Sequence, residues 1–130
     1  MLWAAGGRYI CAIDPGMGKS RIAAAVIAVF LTVIYPSPAH SNKVHVIFPN
    51  PYLYHRDRDV FKGLWVIYNS ADRVVYHSSQ YGLDFDSDKG DWFIYDEADH
   101  VIFQDPDNFH RFSGCHPCFC LTATPGGRAE

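Results

Sequence analysis

Apolar residues in this chain fall in short runs divided by polar or proline-rich punctuation, with one longer exception. Arg8–Ile13 (RYICAI) is rich in β-formers and stops at Asp14-Pro15-Gly16, which predicts a strand leading into a turn. From Ile22 to Tyr35 every residue but Thr32 is apolar or aromatic. This predicts a buried helix that begins at Lys19 or Ser20 and ends near Tyr35, because Pro36 and Pro38 cannot continue it. Pro36–Asn42 then reads as a surface connection. Lys43–Phe48 (KVHVIF) predicts a second strand, closed by Pro49-Asn50-Pro51. Tyr52–Leu64 carries Leu53, Val60, Phe61 and Leu64 on an irregular helical stripe, with Arg56, Asp57, Arg58, Asp59 and Lys62 between them.

Leu64–Tyr68 and Arg73–His77 read as short β-type runs, and Asp84–Asp91 (DFDSDKGD) as a solvated acidic turn. The last of these is no calcium loop, since Lys89 and Tyr95 stand where such a loop requires Gly and Glu. Trp92–Tyr95 (WFIY) predicts a strand that delivers Asp96-Glu97-Ala98-Asp99. Asp105–Ser113 reads as loop with one helical turn, and Cys118–Leu121 (CFCL) as a last strand before Thr122-Ala123-Thr124. Strands alternating with helices predict an α/β fold: a mostly parallel central sheet with helices on both faces. Ligands of such sheets bind at the carboxyl ends of the strands, and all three polar motifs follow predicted strands.

Composition adds limits. The chain has 130 residues, 48% of them hydrophobic, and a net charge of −3. It reads as one domain, residues 1–130, with no overall basic character to suggest nucleic acid. The long apolar segment has fourteen residues, about 21 Å as a helix against a hydrocarbon core of roughly 30 Å, so no transmembrane span is expected. Four cysteines and no signal-peptide pattern suggest free thiols in a reducing compartment, and an intracellular, cytoplasmic setting is the expectation. Cys115, Cys118 and Cys120 lack the spacing of a zinc knuckle and are expected to be core thiols. His100, beside the acidic motif, is expected to have a surface or capping role.

The candidate chemistry centres on Asp14-Pro15-Gly16-Met17-Gly18-Lys19-Ser20. Gly16 and Gly18 let backbone N–H groups approach a phosphate, and the following helix directs its partial positive end at the anion. Lys19 adds a charge, and the Ser20 hydroxyl is a magnesium ligand in loops of this pattern. Ile13 stands where the strict Walker A pattern has its first Gly. Pro15, Gly16, Met17, Gly18, Lys19 and Ser20 are therefore the candidate ATP-binding residues. Asp96 is the candidate partner of Ser20 in holding Mg²⁺, and Glu97 the group that orients and deprotonates the attacking water. Thr122, Ala123 and Thr124 offer two hydroxyls at a strand end, either as a turn or as a link to the acidic motif.

With PGMGKS, DEAD and TAT in this order, the chain resembles the first RecA-like lobe of superfamily 2 helicases and translocases. Gly7-Arg8-Tyr9-Ile10, Val44-His45-Val46-Ile47, Tyr52-Leu53 with Arg56-Asp57, Ala71-Asp72 through Tyr76, and Tyr81–Phe85 are similar to segments of SecA-like preprotein translocase ATPases. The resemblance implies a P-loop NTPase lobe that binds ATP and Mg²⁺. Lys19, Asp96 and Glu97 would be its catalytic residues, and Thr122, Ala123 and Thr124 would couple it to a second lobe. It implies ATP hydrolysis at the β–γ bond driving polymer translocation, with a polypeptide favoured over nucleic acid as the polymer. Two departures stand out. Pro49 is followed by Asn50-Pro51, not by an RNA-gripping motif, and Phe85–Trp92 is far shorter than the segment that holds SecA's peptide-crosslinking domain. One lobe alone would lack the arginine finger of its partner, a group worth roughly 10³–10⁵ in rate. A nucleotide-binding module without turnover and a fragment of an RNA helicase are the alternative readings.

Overall fold

In the computed structural model, residues 2–5, 8–13, 19–37, 41–67, 71–79, 91–113 and 116–123 are described. Their strands are β1 (Leu2–Ala5), β2 (Arg8–Ile13), β3 (Val44–Ile47), β4 (Val74–His77), β5 (Trp92–Tyr95) and β6 (Cys118–Ala123). The helices are α1 (Lys19–Val29), α2 (Pro51–Ile67), α3 (Ala98–Gln104) and α4 (Pro106–Ser113). A π-helical turn, Phe30–Ile34, extends α1, and a 3₁₀ turn, Ala71–Arg73, precedes β4.

The six strands form one sheet in the order β1-β2-β6-β5-β3-β4. β2, β6, β5, β3 and β4 pair in parallel, and β1 pairs antiparallel to β2 at one margin. The expected parallel α/β architecture is thus present, with an antiparallel margin that the sequence did not announce.

Alternation along the strands divides the core in two, as side chains of period two must. Val44, Val46, Val74, Ile94 and Leu121 face Ala23 and Ile27 of α1 and Phe30 and Leu31 of the π-helical turn that extends it, with Leu53, Tyr54, Phe61 and Leu64 of α2 packed beside them. Ile47, Phe93, Tyr95, Cys118 and Cys120 face the other way, onto Ala98 and Val101 of α3 and Phe109 of α4. Full burial of one such side chain contributes about 1.5–3 kcal/mol, so a charge at Ile27, 1% exposed, would break the first layer.

The chain steps outward from β2 to β3 to β4 with α1 and α2 on one face, then returns from β5 to β6 with α3 and α4 on the other. Reversing direction and changing face together keeps one crossover hand. β3 and β5 are neighbours whose onward connections diverge, which makes their carboxyl ends the switch point of the sheet.

Four expectations are corrected. Leu64–Tyr68 is not a strand: α2 runs on to Ile67. Asp105–Ser113 holds an eight-residue helix, with Pro106 at its first position and Phe109 as its core anchor. β6 continues to Ala123, so Thr122 and Ala123 lie in the strand and not in a turn after it. Asp91 is 5% exposed and hydrogen-bonded, so the end of the supposed solvated turn is interior; its residues 84–90 lie outside the described residues. No helix among the described residues is long and apolar enough to cross a membrane.

Candidate active site

β5 ends in Tyr95, and the chain turns at once through Asp96 and Glu97 into α3. The Asp96 N–H donates to the Ile47 carbonyl at 3.0 Å, which fixes the turn against the end of β3. The Asp96 side chain is interior, 3% exposed. Glu97 takes a left-handed backbone, φ 48° and ψ 54°, at the N-cap of α3. It is the one non-glycine residue of positive φ among the described residues. Non-glycine residues there cost of order 1–3 kcal/mol, and such strain clusters at functional sites. The Glu97 carbonyl accepts from the N–H groups of His100 (2.9 Å) and Val101 (3.2 Å), which starts the helix.

Two further groups stand by the turn. Glu97, Asp99 and His100 bring ligand atoms within 4.8 Å of one another, and His100 is exposed with Nε2 3.8 Å from Asp99. On α2, Arg56 donates through Nε to the buried Asp57 at 2.8 Å. That bond chiefly, and more weakly the charges of Asp57 and Asp96, hold the guanidinium above its ordinary pKa. The sequence named Arg56 only as a charge on a helix and a point of likeness; the Arg-Asp dipeptide was the available signal.

The registers show how the motifs lie. Ile47 is level with Tyr95, Tyr95 with Cys120, and Ile13 with Ala123, all near the carboxyl edge of the sheet. The acidic turn, the end of β2 and Thr122–Ala123 therefore share one edge. Lys19 and Ser20 are the first residues of α1, placed by their backbone. Pro15, Gly16, Met17 and Gly18 lie outside the described residues, as do Thr124 and Cys115. Cys118 and Cys120 are buried thiols on the α3–α4 face, as expected of core cysteines.

A second polar cluster escaped the sequence reading. His45 on β3 lies between Asp91 and His77: its Nε2 is 3.0 Å from Asp91 Oδ2, and its Nδ1 is 3.1 Å from His77 Nε2. Asp91 Oδ1 also accepts the Lys43 N–H at 2.9 Å. Its signal was a histidine inside the apolar run Val44–Ile47, a position that needs a partner when buried.

No family model matches the chain, and no curated protein matches it in sequence.

Proposed function

We propose that this chain is a RecA-like ATP-binding lobe of a SecA-like or helicase-like motor. The observation that carries the reading is an acidic Asp96–Glu97 turn at the carboxyl end of β5. It lies on the same edge as the end of β2, and α1 begins at Lys19-Ser20, the close of the Gly-Met-Gly-Lys-Ser motif in the sequence. Phosphate-binding and acidic motifs on one edge of a parallel sheet are what Mg²⁺-dependent phosphoryl transfer requires.

In this reading Pro15 through Ser20 cradle the phosphates, and Lys19 neutralises their charge. Ser20 and Asp96 hold Mg²⁺. A carboxylate at the strand end and a hydroxyl are oxygen donors of the kind a hard cation takes. Glu97 orients and deprotonates the water. Thr122, Ala123 and Thr124 pass the phosphate state to a second lobe, and the translocated polymer is a polypeptide.

The test is a fluorescent-ATP titration with and without Mg²⁺. Lys19→Ala is expected to lose binding, and Asp96→Asn to lose the magnesium dependence. Unchanged affinity in Lys19→Ala removes the proposal. The 130-residue polypeptide is expected to hydrolyse ATP slowly, since an arginine from a facing lobe is worth roughly 10³–10⁵ in rate. Stimulation by unfolded polypeptide, against stimulation by RNA, identifies the polymer.

A further inference from the structure

The Asp91–His45–His77 chain crosses three adjacent strands. His45 belongs to β3, His77 closes β4, and Asp91 immediately precedes β5. His45 is 5% exposed and Asp91 5%, and the two imidazoles stack at 5.3 Å with 26° between their planes. The tautomers follow from one end. Asp91 accepts on both oxygens, from the Lys43 N–H and from His45 Nε2, so His45 carries its proton on Nε2. Its Nδ1 is then an acceptor, and His77 must donate to it from Nε2.

Such a chain has room for a single hydrogen in the 3.1 Å gap between the rings. A proton added to His77 leaves that bond in place but puts a cation in a half-buried position. A proton added to His45 Nδ1 reverses the bond, with His77 then accepting at Nε2; with both imidazoles protonated, two N–H groups face each other and the contact is lost. Among the described residues, two further histidines stand near this hydrogen-bonded chain. His116, 4% exposed just before β6, is itself held below its ordinary pKa, chiefly by burial, and His55 of α2 joins His77 in lining a surface groove. Asp91 serves both His45 and the Lys43 N–H.

β4 depends on this arrangement more than its neighbours do. It is a strand of four residues at the margin of the sheet, paired among the described residues to β3 alone. Tyr76 through Ser79, with Pro51, Tyr54 and His55, line the groove at its carboxyl end. The His77 carbonyl accepts the Phe48 N–H at 3.0 Å, so a shift of His77 also disturbs the turn that opens α2.

We propose that the Asp91–His45–His77 chain is an acid-sensitive latch on β4, which holds the groove in shape while the imidazoles are neutral and releases it when they are protonated. Burial first, and the neighbouring His45 second, push the His77 pKa down from 6.5 to about 4. A group with a depressed cationic pKa favours the folded state fully above 6.5 and progressively less down to 4. Between pH 6.5 and pH 4 the folded-to-unfolded ratio is expected to fall by about 80-fold through this group alone.

The test is amide hydrogen exchange on the full chain between pH 7 and pH 4, corrected for intrinsic rates, with histidine ring resonances followed in parallel. Residues 74–77 are expected to lose protection more steeply than β5 and β6, and His77→Phe is expected to flatten that loss. His77→Gln, which keeps a donor toward His45, serves as the second variant should the phenylalanine form not fold. Equal loss of protection across the three strands, or the wild-type profile in either folded variant, overturns the proposal. So does a His77 ring that titrates in the wild-type chain at the ordinary value of 6.5.

Discussion

Gln104, the last residue of α3, donates an Nε2–H to the Pro49 carbonyl at 2.7 Å. A carbonyl accepts and never donates, so the amide can have only this orientation. The helix that carries the acidic turn is thereby tied to the turn opening α2, across the switch point of the sheet. The amide Oε1 is buried with no hydrogen-bond partner among the described residues. Gln104→Leu is expected to destabilise by about 1 kcal/mol, the bond's worth being offset by removal of the unmet oxygen. Gln104→Glu is expected to be worse at pH 7.5 and to recover toward pH 5, because only a protonated carboxyl can donate to Pro49. Urea denaturation at the two pH values measures both.

Tyr95 places a hydroxyl where the core wants none. The residue is 0% exposed, and its oxygen has no hydrogen-bond partner among the described residues. Burial, then the neighbouring Cys118 and Cys120, push its pKa far above the ordinary phenol range, so it stays a protonated donor at any working pH. The ring itself is well used, meeting Phe109 edge-on at 5.3 Å. Tyr95→Phe keeps the ring contact and is expected to stabilise by about 1 kcal/mol. A lower urea midpoint in the variant would show that the hydroxyl is satisfied.

The backbone at Glu97 predicts a trade between stability and activity. Glycine occupies φ near +50° without strain, so Glu97→Gly is expected to gain about 1 kcal/mol in stability. Glu97→Ala keeps the strain and is expected to gain nothing. Both lose the carboxylate and, under the proposed function, ATP turnover by any complete motor that contains this lobe. Thermal melts with a phosphate-release assay separate the two effects.

Arg73 acts as an interior strut. It is 3% exposed and donates to the carbonyls of Asn42 (3.1 Å), Tyr35 (3.1 Å) and Ser37 (3.4 Å), with its guanidinium carbon 5.5 Å from the Phe30 ring centre. Three acceptors in different directions suit a planar fork and not an ammonium point charge. Arg73→Ala is expected to cost about 3 kcal/mol, and Arg73→Lys to recover less than half of it, read from denaturant midpoints.

Much of this was legible in the sequence, for identifiable reasons. Lys43–Phe48 and Trp92–Tyr95 are short apolar runs closed by turn residues, Cys118–Leu121 is a third apolar run, and each lies in a strand of the parallel sheet. The edge shared by the acidic turn and the end of β2 followed from strand direction alone. Leu64–Tyr68 misled because its β-branched and aromatic residues prefer strands locally, while a helix already under way added each residue with one more bond. The role of Asp91 was hidden because its partner His45 lies 46 residues earlier, and no local pattern carries that distance. β1 was missed because Leu2-Trp3-Ala4-Ala5 gives little β signal without β2 to pair with.

The wide turn at the end of α1 locates a tolerance for changes in chain length. The Tyr35 N–H reaches back five residues to the Phe30 carbonyl at 2.9 Å, so residues 30–34 hold one residue more than an α-helix would need to span that turn. Phe30 and Leu31 are buried, while Val33 is 67% exposed. Deleting Val33 would let the helix continue at its ordinary pitch and leave both core residues seated. Insertions and deletions are usually absorbed in loops, but this chain can absorb one inside its longest apolar segment, on the side turned away from the sheet.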